Sequence, residues 1–457
     1  MRSVRIGAGQ GFYGDTVDGA LDVATKAAVS YICFDALAEL TMAILQKDRM
    51  RNPEGGFTRD LPAFMRRLLP LARERNITLI TNAGGMNPEG AATSVRSVAR
   101  DLGMDDLRVG VVTGDDLTSR LDDLREQGVS LDHLDTGQHI GEVSDRVVFA
   151  VAYLGARPLV RALEQGADVI VTGRVADASL FVAPMVHELG WTFEDHDRLA
   201  AGTVLGHLME CSGQATGGNF SGDWWNVPDL DRVGYPVCVM HEDGTATLTK
   251  PPGTGGRVSV DTVKEQLLYE VLDPRRYMNP DVIADFTTVH LRDSGDEEVE
   301  VSGVRGLPRP ESLKVIAGYL DGWMGTAMIG YSWPDAVAKA RRAARLVHRL
   351  AARAGLEPLE HLVELVGVDS LHGDAAQPSG GAANEVVLRV AARFASEEEA
   401  ARFPRAAMPL ALNGPPFIGG SAGPTGPRAL LGVWPTLVPR DLVEPHVNVS
   451  VRSASEA

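Results

Sequence analysis

The first 190 residues alternate short apolar runs with amphipathic stretches of helical length, and this alternation constrains the fold most. Six runs have the length and apolar content of strands: 4–9, 31–37, 77–85, 107–116, 146–155 and 168–177. Short apolar strands separated by helices of about 10–15 residues predict βαβ units and a mostly parallel sheet. We therefore expect an α/β fold whose N-terminal domain, residues 1–240, is doubly wound and Rossmann-like.

The pattern changes after about residue 195. Shorter, alternating strands and one long Ala/Arg-rich amphipathic helix (334–354) follow, which is typical of antiparallel strands backed by helices. We expect a second, α+β domain over residues 241–457. The Pro/Gly-rich segment near 413–428 is predicted to be a loop.

Polar, glycine-rich segments follow four of the predicted parallel strands: "GQGFYGD", "TNAGGMNP", "TGDD" and "TGRVADAS". In open α/β sheets, ligands bind beyond the carboxyl ends of the strands. These segments therefore predict a small-molecule site. Its candidate substrate-binding residues are Asp15, Asn82, Gly84, Gly85, Asp115, Arg174 and Ser179.

The stretch "GQGFYG" (9–14) is a literal G-x-G-x-x-G, and Asp35 ends the next predicted strand. Together they resemble a dinucleotide-binding fingerprint, in which the acidic residue accepts hydrogen bonds from ribose. Asp15 would place a carboxylate against the pyrophosphate, and Phe12 and Tyr13 add bulk where the backbone must approach it. A tight polar turn is the alternative interpretation.

A second glycine-rich stretch, "KPPGTGGRVS" (250–259), lies between a predicted strand and a predicted helix. Such a turn presents backbone N–H groups to an anion. The candidates here are Lys250, Gly253, Thr254, Gly255, Gly256 and Arg257. The spacing does not match a Walker A loop, and a structural turn capped by Ser259 or Asp261 is the alternative.

Three residues are candidates for the catalytic acid–base group: Asp177, Glu210 and His372. Asp177 follows Arg174, which can hold a carboxylate in a bidentate fork or merely pair with Asp177 at a helix start. Glu210 shares a helical face with His207, and His372 stands between two aspartates. No motif has the ligand count of a metal site, and Ser421 in "GGSAG" lacks the strand–turn–helix setting of a nucleophile.

The acidic net charge restricts the kinds of macromolecule that the protein is expected to bind. With 44 basic and 61 acidic residues the net charge is −17, so no basic field attracts nucleic acid or an acidic membrane surface. The three cysteines form no CxxC pair, and no run of eighteen apolar residues occurs. These features predict a soluble protein of the cytoplasm.

Several long strings in chain order, from residue 4 to about 376, resemble the acyclic terpene utilisation family named after AtuA. They include "GQGFYGD", "FDALAELTMAIL", "DVIVTGRVADASLF", "AGTVLGHLMECSGQATGGNF", "TKPPGTGGRVSVDTVKEQLLYE" and "GVDSLHGD". The resemblance implies a place in the catabolism of branched isoprenoid acids as CoA thioesters. Many relatives carry an additional small ferredoxin-like domain, so a separate small polypeptide of that fold is an expected partner.

These observations predict a cytosolic enzyme of acyl-CoA or branched carboxylic acid metabolism. It would be a lyase, either a hydratase/dehydratase or a C–C lyase, which takes a proton α to a carbonyl. We expect no cofactor, CoA as part of the substrate, and a homo-oligomer. The alternatives are a non-catalytic acyl-binding subunit acting with a small partner protein, and an NAD(P)-dependent oxidoreductase.

Overall fold

The computed structural model describes residues 1–377, 383–421 and 426–456. Its α-helices are α1 Val17–Lys26, α2 Glu39–Arg51, α3 Leu61–Arg75, α4 Pro88–Asp101, α5 Leu121–Glu126, α6 Arg157–Glu164, α7 Ser179–Leu189, α8 His196–Met209, α9 Val260–Leu268, α10 Ala336–Arg353, α11 Glu397–Ala407 and α12 Leu410–Asn413.

The strands of the first 300 residues are β1 Ser3–Gln10, β2 Tyr31–Phe34, β3 Thr78–Thr81, β4 Arg108–Thr113, β5 Val147–Ala152, β6 Val169–Thr172, β7 Val237–His241, β8 Ala246–Thr249, β9 Tyr277–Met278, β10 Ile283–Asp285 and β11 His290–Gly295. The later strands are β12 Glu298–Ser302, β13 Arg305–Leu307, β14 Ser312–Ser332, β15 Glu360–Val366, β16 Glu385–Phe394, β17 Ile418–Ser421, β18 Arg428–Pro439 and β19 Asn448–Ser453.

A ten-stranded mixed sheet has the order β11-β12-β8-β7-β1-β2-β3-β6-β4-β19. Its central strands β1, β2, β3, β6 and β4 are parallel. The flanking strands all pair antiparallel, β19 at one side and β7, β8, β12 and β11 at the other. The predicted α/β class is therefore confirmed, with a mixed sheet that also contains antiparallel strands from the second half of the chain.

Contacts divide the chain into two compact units. The first contains Met1–Glu142, Val148–Ala317 and the described residues from Val433 onward. The second contains Val143–Val147 and the described residues of Gly318–Gly432. These bounds differ from the predicted division at residue 240, because β7, β8, β11 and β12 complete the sheet of the first unit.

The core of the first unit follows from the sequence of its parallel strands. All four residues of β6 are buried, as are all four of β2, since helices cover both faces of a parallel sheet. A side chain at Gly7 would come within 2.2 Å of Val23, so glycine lets α1 pack closely on β1. The carboxyl ends of these strands thus lie at one well-packed edge.

The second unit has the sheet order β15-β16-β14-β17, covered by α10 and α11. The buried face of α10 presents mainly alanines, among them Ala340, Ala343 and Ala344, which pack against a core that includes Leu388 and Phe394. Short side chains let a helix approach a sheet closely, which explains the Ala-rich composition of this helix.

Two segments differ from the sequence prediction. The strand predicted at 146–155 is β5, which pairs with β14 and not with the ten-stranded sheet. The segment 413–428, predicted to be a loop, contains β17, which pairs with β14 through residues 418–421; residues 422–425 lie outside the described ones. Across the described residues, the helices are all too short or too polar to span a bilayer.

Candidate functional site

Polar side chains meet at the carboxyl edge of the parallel strands in the first unit. Asp35 follows β2, Asn82 follows β3 and Arg174 follows β6, and all three are buried. Asp177, Glu210 and His207 join them from the start of α7 and the end of α8. We call these six residues the acid–base cluster.

Arg174 holds the cluster together. Its Nη1 donates to the carbonyl oxygen of Leu37 at 2.8 Å and lies 2.9 Å from Oδ1 of Asp177. Its guanidinium stacks 4.1 Å above the ring centre of Tyr153. Burial opposes the charge of Arg174, but the surrounding acidic groups, Asp177 foremost, raise its pKa, so it stays a cation.

The environment of Asp35 favours the neutral form of its carboxyl group. Burial raises its pKa well above the ordinary range, and the nearby Asp177 raises it further, against the opposing effect of Arg174. Its Oδ1 accepts hydrogen bonds from Nδ2 of Asn82 at 2.6 Å and from the amide of Leu37 at 3.3 Å. Because both donors use Oδ1, the proton belongs on Oδ2.

Asp177 is the more exposed carboxylate of the cluster, with 31% of its side chain accessible. Burial raises its pKa, and the ion pair with Arg174 opposes that rise and favours the charged form. The cluster therefore pairs an accessible aspartate, whose charged form Arg174 favours, with a buried aspartate whose pKa lies well above the ordinary range, and such a difference suits a base and an acid.

His207 and Glu210 form a buried pair behind Arg174. Burial lowers the pKa of His207 to about 4, so the ring is neutral. Its Nε2 lies 2.9 Å from the carbonyl oxygen of Gln266, which can only accept, so Nε2 carries the hydrogen. Nδ1 is then an acceptor, and the Glu210 oxygen 3.1 Å away donates to it as a neutral carboxyl group, in agreement with the raised pKa of Glu210.

Two buried polar atoms of the cluster have neither a hydrogen bond nor an ion pair with any described residue: Nε of Arg174 and Oε2 of Glu210, whereas the buried Oδ1 of Asp177 has its ion pair with Arg174. Buried polar atoms are nearly always satisfied, so each such atom needs an explanation. Both lie among groups whose pKa values are strongly shifted. Their coincidence favours a ligand site over a structural ion-pair network.

Glu39, Tyr153 and Lys314 form the exposed side of the site. The hydroxyl of Tyr153 donates to Oε1 of Glu39 at 2.7 Å, and Nζ of Lys314 donates to the same oxygen at 3.2 Å. Burial would raise the pKa of Glu39, but these two partners hold it at about 2. Lys314 is 45% exposed, so a cation is available to an incoming anionic group.

Asp115 fixes the backbone position of Arg174. Its Oδ2 accepts the backbone N–H of Arg174 at 2.6 Å, and burial raises its pKa to about 7. A side chain at Gly173 would come within 2.2 Å of this carboxylate. The predicted glycines of the β3 loop are also packed: a side chain at Gly84 would meet the carbonyl oxygen of Thr172 at 2.4 Å, and Gly85 has a φ of +48°.

Ser179 lies outside the acid–base cluster. Its hydroxyl donates to Oδ2 of Asp281 at 2.8 Å, and the same oxygen accepts the amide of Ala156. Ser179 therefore joins α7 to α6 through Asp281.

The G-x-G-x-x-G turn closes on Asp15. One oxygen of Asp15 accepts from the hydroxyl of Tyr235 at 2.5 Å, and the other accepts from the amide of Gly11 and the hydroxyl of Ser212. A side chain at Gly11 would meet the backbone of Ser212 at 2.3 Å. These contacts occupy the turn and favour the tight polar turn over dinucleotide binding.

In the stretch 250–259, called here the glycine loop, backbone and side-chain donors also form hydrogen bonds within the protein. The amides of Gly255, Gly256 and Arg257 donate to backbone carbonyls at 2.7–2.8 Å. Nζ of Lys250 donates to the backbone carbonyl of Thr254, and the hydroxyl of Thr254 donates to the backbone carbonyl of Pro251. Nη2 of Arg257 donates to the backbone carbonyl of Asn226. Gly253 has a φ of +72° and open space around it. These contacts favour the structural turn.

His372 belongs to the second unit, where it is exposed in a turn after β15. Its neighbour Asp369 accepts the amide of Leu365 at 2.7 Å, which closes the turn. The structure thus gathers Asp177, Glu210, Asn82, Asp115 and Arg174 in the first unit.

Sequence reasoning did not single out Glu39, Tyr153 or Lys314, and it considered Asp35 only as a ribose ligand. Glu39 and Asp35 lie in "FDALAE" (34–39), so the two carboxyl groups beyond β2 were a usable signal. Tyr153 and Lys314 come from distant positions in the chain, where nothing local marks them.

The fold and the site together define a mixed α/β protein with a buried acid–base cluster at the carboxyl edge of its parallel strands. The model of the acyclic terpene utilisation family protein AtuA matches residues 4–449, nearly the whole chain. The chain therefore belongs to the acyclic terpene utilisation family, as its sequence strings predicted. No curated protein sequence and no solved structure matches it significantly.

Proposed function

We propose that the protein is a lyase of acyl metabolism, and specifically a hydratase/dehydratase that acts on a carboxylated acyl substrate. The observation that carries this proposal is the pairing of Asp35, whose pKa is raised well above the ordinary range, with Asp177, which forms an ion pair with the buried Arg174. Elimination of water next to a carbonyl needs a base for the α-proton, an acid for the departing hydroxyl, and a positive charge for the enolate oxygen.

Asp177 is the base in this scheme. Its carboxylate is accessible and kept ionised by Arg174, so it can take the proton α to the substrate carbonyl. Negative charge then develops on the carbonyl oxygen. The buried Nε of Arg174, which has no partner among the described residues, is a donor for that oxygen.

Asp35 is the acid. Its Oδ2 proton passes to the β-hydroxyl group, the C–O bond breaks, water leaves and the C=C double bond forms. The proton on Asp177 then returns to Asp35, which restores both groups. The electrostatic interaction of the two carboxyl groups supports this exchange, because each disfavours the ionisation of the other.

Glu210 and Lys314 have supporting roles. Neutral Glu210 donates to His207, so its free Oε2 accepts from a substrate hydroxyl and is not a base. Lys314 at the exposed side pairs with a carboxylate of the substrate.

The remainder of the proposal follows from the family and the charge. The substrate is an acyl-CoA thioester, and the enzyme is a cytoplasmic homo-oligomer with a doubly wound, Rossmann-like parallel core that works with a small ferredoxin-like polypeptide. CoA is part of the substrate, and no separate cofactor takes part.

The test is hydrogen exchange at the α-carbon. The full chain is incubated in D₂O with a panel of 3-hydroxyacyl-CoA and 2-enoyl-CoA thioesters, and NMR records deuterium at Cα and interconversion of the two forms. We expect both with the wild type and neither with Asp177→Asn. The matched control is Asp122→Asn, which removes a surface aspartate that also pairs with an arginine three residues away. No exchange with any thioester in the wild type would contradict the proposal.

A further inference from the structure

The first unit contains a cavity of about 380 Å³ that does not include any member of the acid–base cluster. It lies along α6 and is also lined by Pro280, Asp281, Leu313, Arg440, Glu444 and Val447. Its volume is within the range of small-molecule sites, roughly 300–1,000 Å³.

The wall of the cavity carries both apolar and charged side chains. Leu154, Leu313 and Val447 supply apolar surface. Arg157 and Arg161 project from successive turns of α6, at i and i+4 on one helical face. A ligand with an apolar body and an anionic end would match both parts.

Three acidic residues line the wall, and two of them, Asp281 and Glu444, already accept hydrogen bonds. Glu444 accepts from Arg309 at 3.0 Å and from Arg440 at 2.6 Å. Asp281 accepts from Ala156 and Ser179, and burial raises its pKa. Among the described residues, no hydrogen bond or ion pair joins Glu164, Asp281 or Glu444 to Arg157 or Arg161, although the charge of Arg157 opposes the rise in the pKa of Asp281.

Arg157 and Arg161 retain binding capacity. The guanidinium of Arg157 lies 4.0 Å above the ring of Phe193, which fixes its position, and its Nε is buried without a hydrogen-bond partner among the described residues. Its one ion pair, with the exposed Glu194, is long at 4.0 Å. Arg161 forms no ion pair with any residue that the structure describes.

The cavity and the acid–base cluster share a wall. Leu154 and Leu313 line the cavity, whereas their neighbours Tyr153 and Lys314 belong to the exposed side of the candidate active site. Adjacent residues of extended chain point to opposite faces, and the amide of Tyr153 donates to the carbonyl of Lys314 across this pair of segments. A ligand in the cavity would therefore be separate from the reacting groups.

We propose that this cavity is a second binding site, for an organic anion whose charged group pairs with Arg157 and Arg161 and whose apolar body contacts Leu154, Leu313 and Val447. The site does not depend on the lyase reaction. Its ligand is recognised by one negative charge on an apolar chain.

The test is calorimetric titration of the full chain with octanoate. We expect saturable binding, weakened about tenfold by Arg157→Gln and by Arg161→Gln, because each removes a charged hydrogen-bond donor. Arg66→Gln, at an exposed arginine of α3, is the matched control and should bind within about twofold of the wild type. Circular dichroism and the unfolding midpoint verify that each variant is folded.

Two further titrations test whether octanoate binds in this cavity and through its charge. Lys314→Gln should leave octanoate binding unchanged, and octylamine and inorganic phosphate should bind at least about tenfold more weakly than octanoate. The proposal is overturned if octanoate does not bind, if the two α6 variants bind it as the wild type does, or if Lys314→Gln alone weakens it. It is also overturned if octylamine or phosphate binds as tightly.

Discussion

The acid–base cluster and the glycine loop look alike in sequence, since both combine arginine, glycine and capping residues beyond a strand. In the structure they differ in how their polar groups are satisfied. The loop amides and both of its cations donate to neighbouring groups. The cluster instead retains buried atoms without partners among the described residues, at Arg174 and Glu210. A satisfied turn stabilises the fold, whereas unsatisfied groups with shifted pKa values mark a place for chemistry.

The largest expected effect separates the two regions by activity. Asp177→Asn and Asp35→Asn should each lower kcat/KM about 10²–10⁴-fold, the usual contribution of a general acid or base. Lys250→Gln and Arg257→Gln should remain within about twofold of the wild type, because both side chains already donate to backbone carbonyls, of Thr254 and Asn226. Steady-state kinetics with the substrate found by the exchange assay measures both. Equal losses at the loop would make it part of the site.

The next effect separates them by stability. Arg174→Gln should lower the free energy of unfolding by about 3 kcal/mol, near the lower end for a broken buried pair because Asp177 is partly exposed. Arg257→Gln should cost less than about 1 kcal/mol, since its ion pair with Asp223 is long and near the surface. Urea unfolding followed by circular dichroism gives both values. A similar cost at the two arginines would remove the distinction.

A glycine substitution tests the loop as a structural turn. A side chain at Gly255 would lie 2.1 Å from the carbonyl oxygen of Asp229, so Gly255→Ala should destabilise by about 1–3 kcal/mol. Gly253→Ala is the matched control: it has open space, and its positive φ should cost about 1 kcal/mol. Both variants should keep the wild-type kcat/KM per folded molecule. A fall in kcat/KM without a loss of stability would contradict the structural role.

The smallest effect is a gain in stability. In the wild type, Asp35 is neutral in both states below the unfolded pKa of about 3.9; as the pH rises, only the unfolded chain ionises, so stability is lost. Asp35→Asn removes this titration and keeps an acceptor for Asn82. The variant should therefore become progressively more stable than the wild type between pH 4 and the raised pKa. Urea unfolding across this range measures the difference between the variant and the wild type. A variant that loses stability as the pH rises would show that Asp35 ionises readily.

Sequence periodicity predicted the parallel core because its signal is local. The run 168–177, for example, predicts a strand followed by polar residues at the carboxyl edge of the sheet. The structure has β6 in this run, with Arg174 and Asp177 after it. The antiparallel flanks escaped prediction because the pairing of β7 with β1 joins residues 230 to 238 positions apart. Nothing in a single strand specifies such a partner.

The residue types of the site were also predictable, but their protonation states were not. Arg174, Asp177 and Glu210 could be recognised in the sequence as polar residues that follow apolar runs. The raised pKa values of Asp35 and Glu210 depend on burial and on the nearby carboxyl group of Asp177, which only the folded chain brings together. The glycine loop shows the converse, since its composition indicated an anion site and its hydrogen bonds satisfy the loop itself.

The protonation state of Asp35 tests the account most directly. Infrared difference spectra of the wild type minus Asp35→Asn, recorded at pH 7, isolate the carboxyl group of this one residue. The account predicts the C=O stretch of a protonated carboxylic acid, which persists until the pH rises well above the ordinary range for aspartate. A carboxylate spectrum at pH 7 would contradict it, because Asp35 would then be unable to donate a proton.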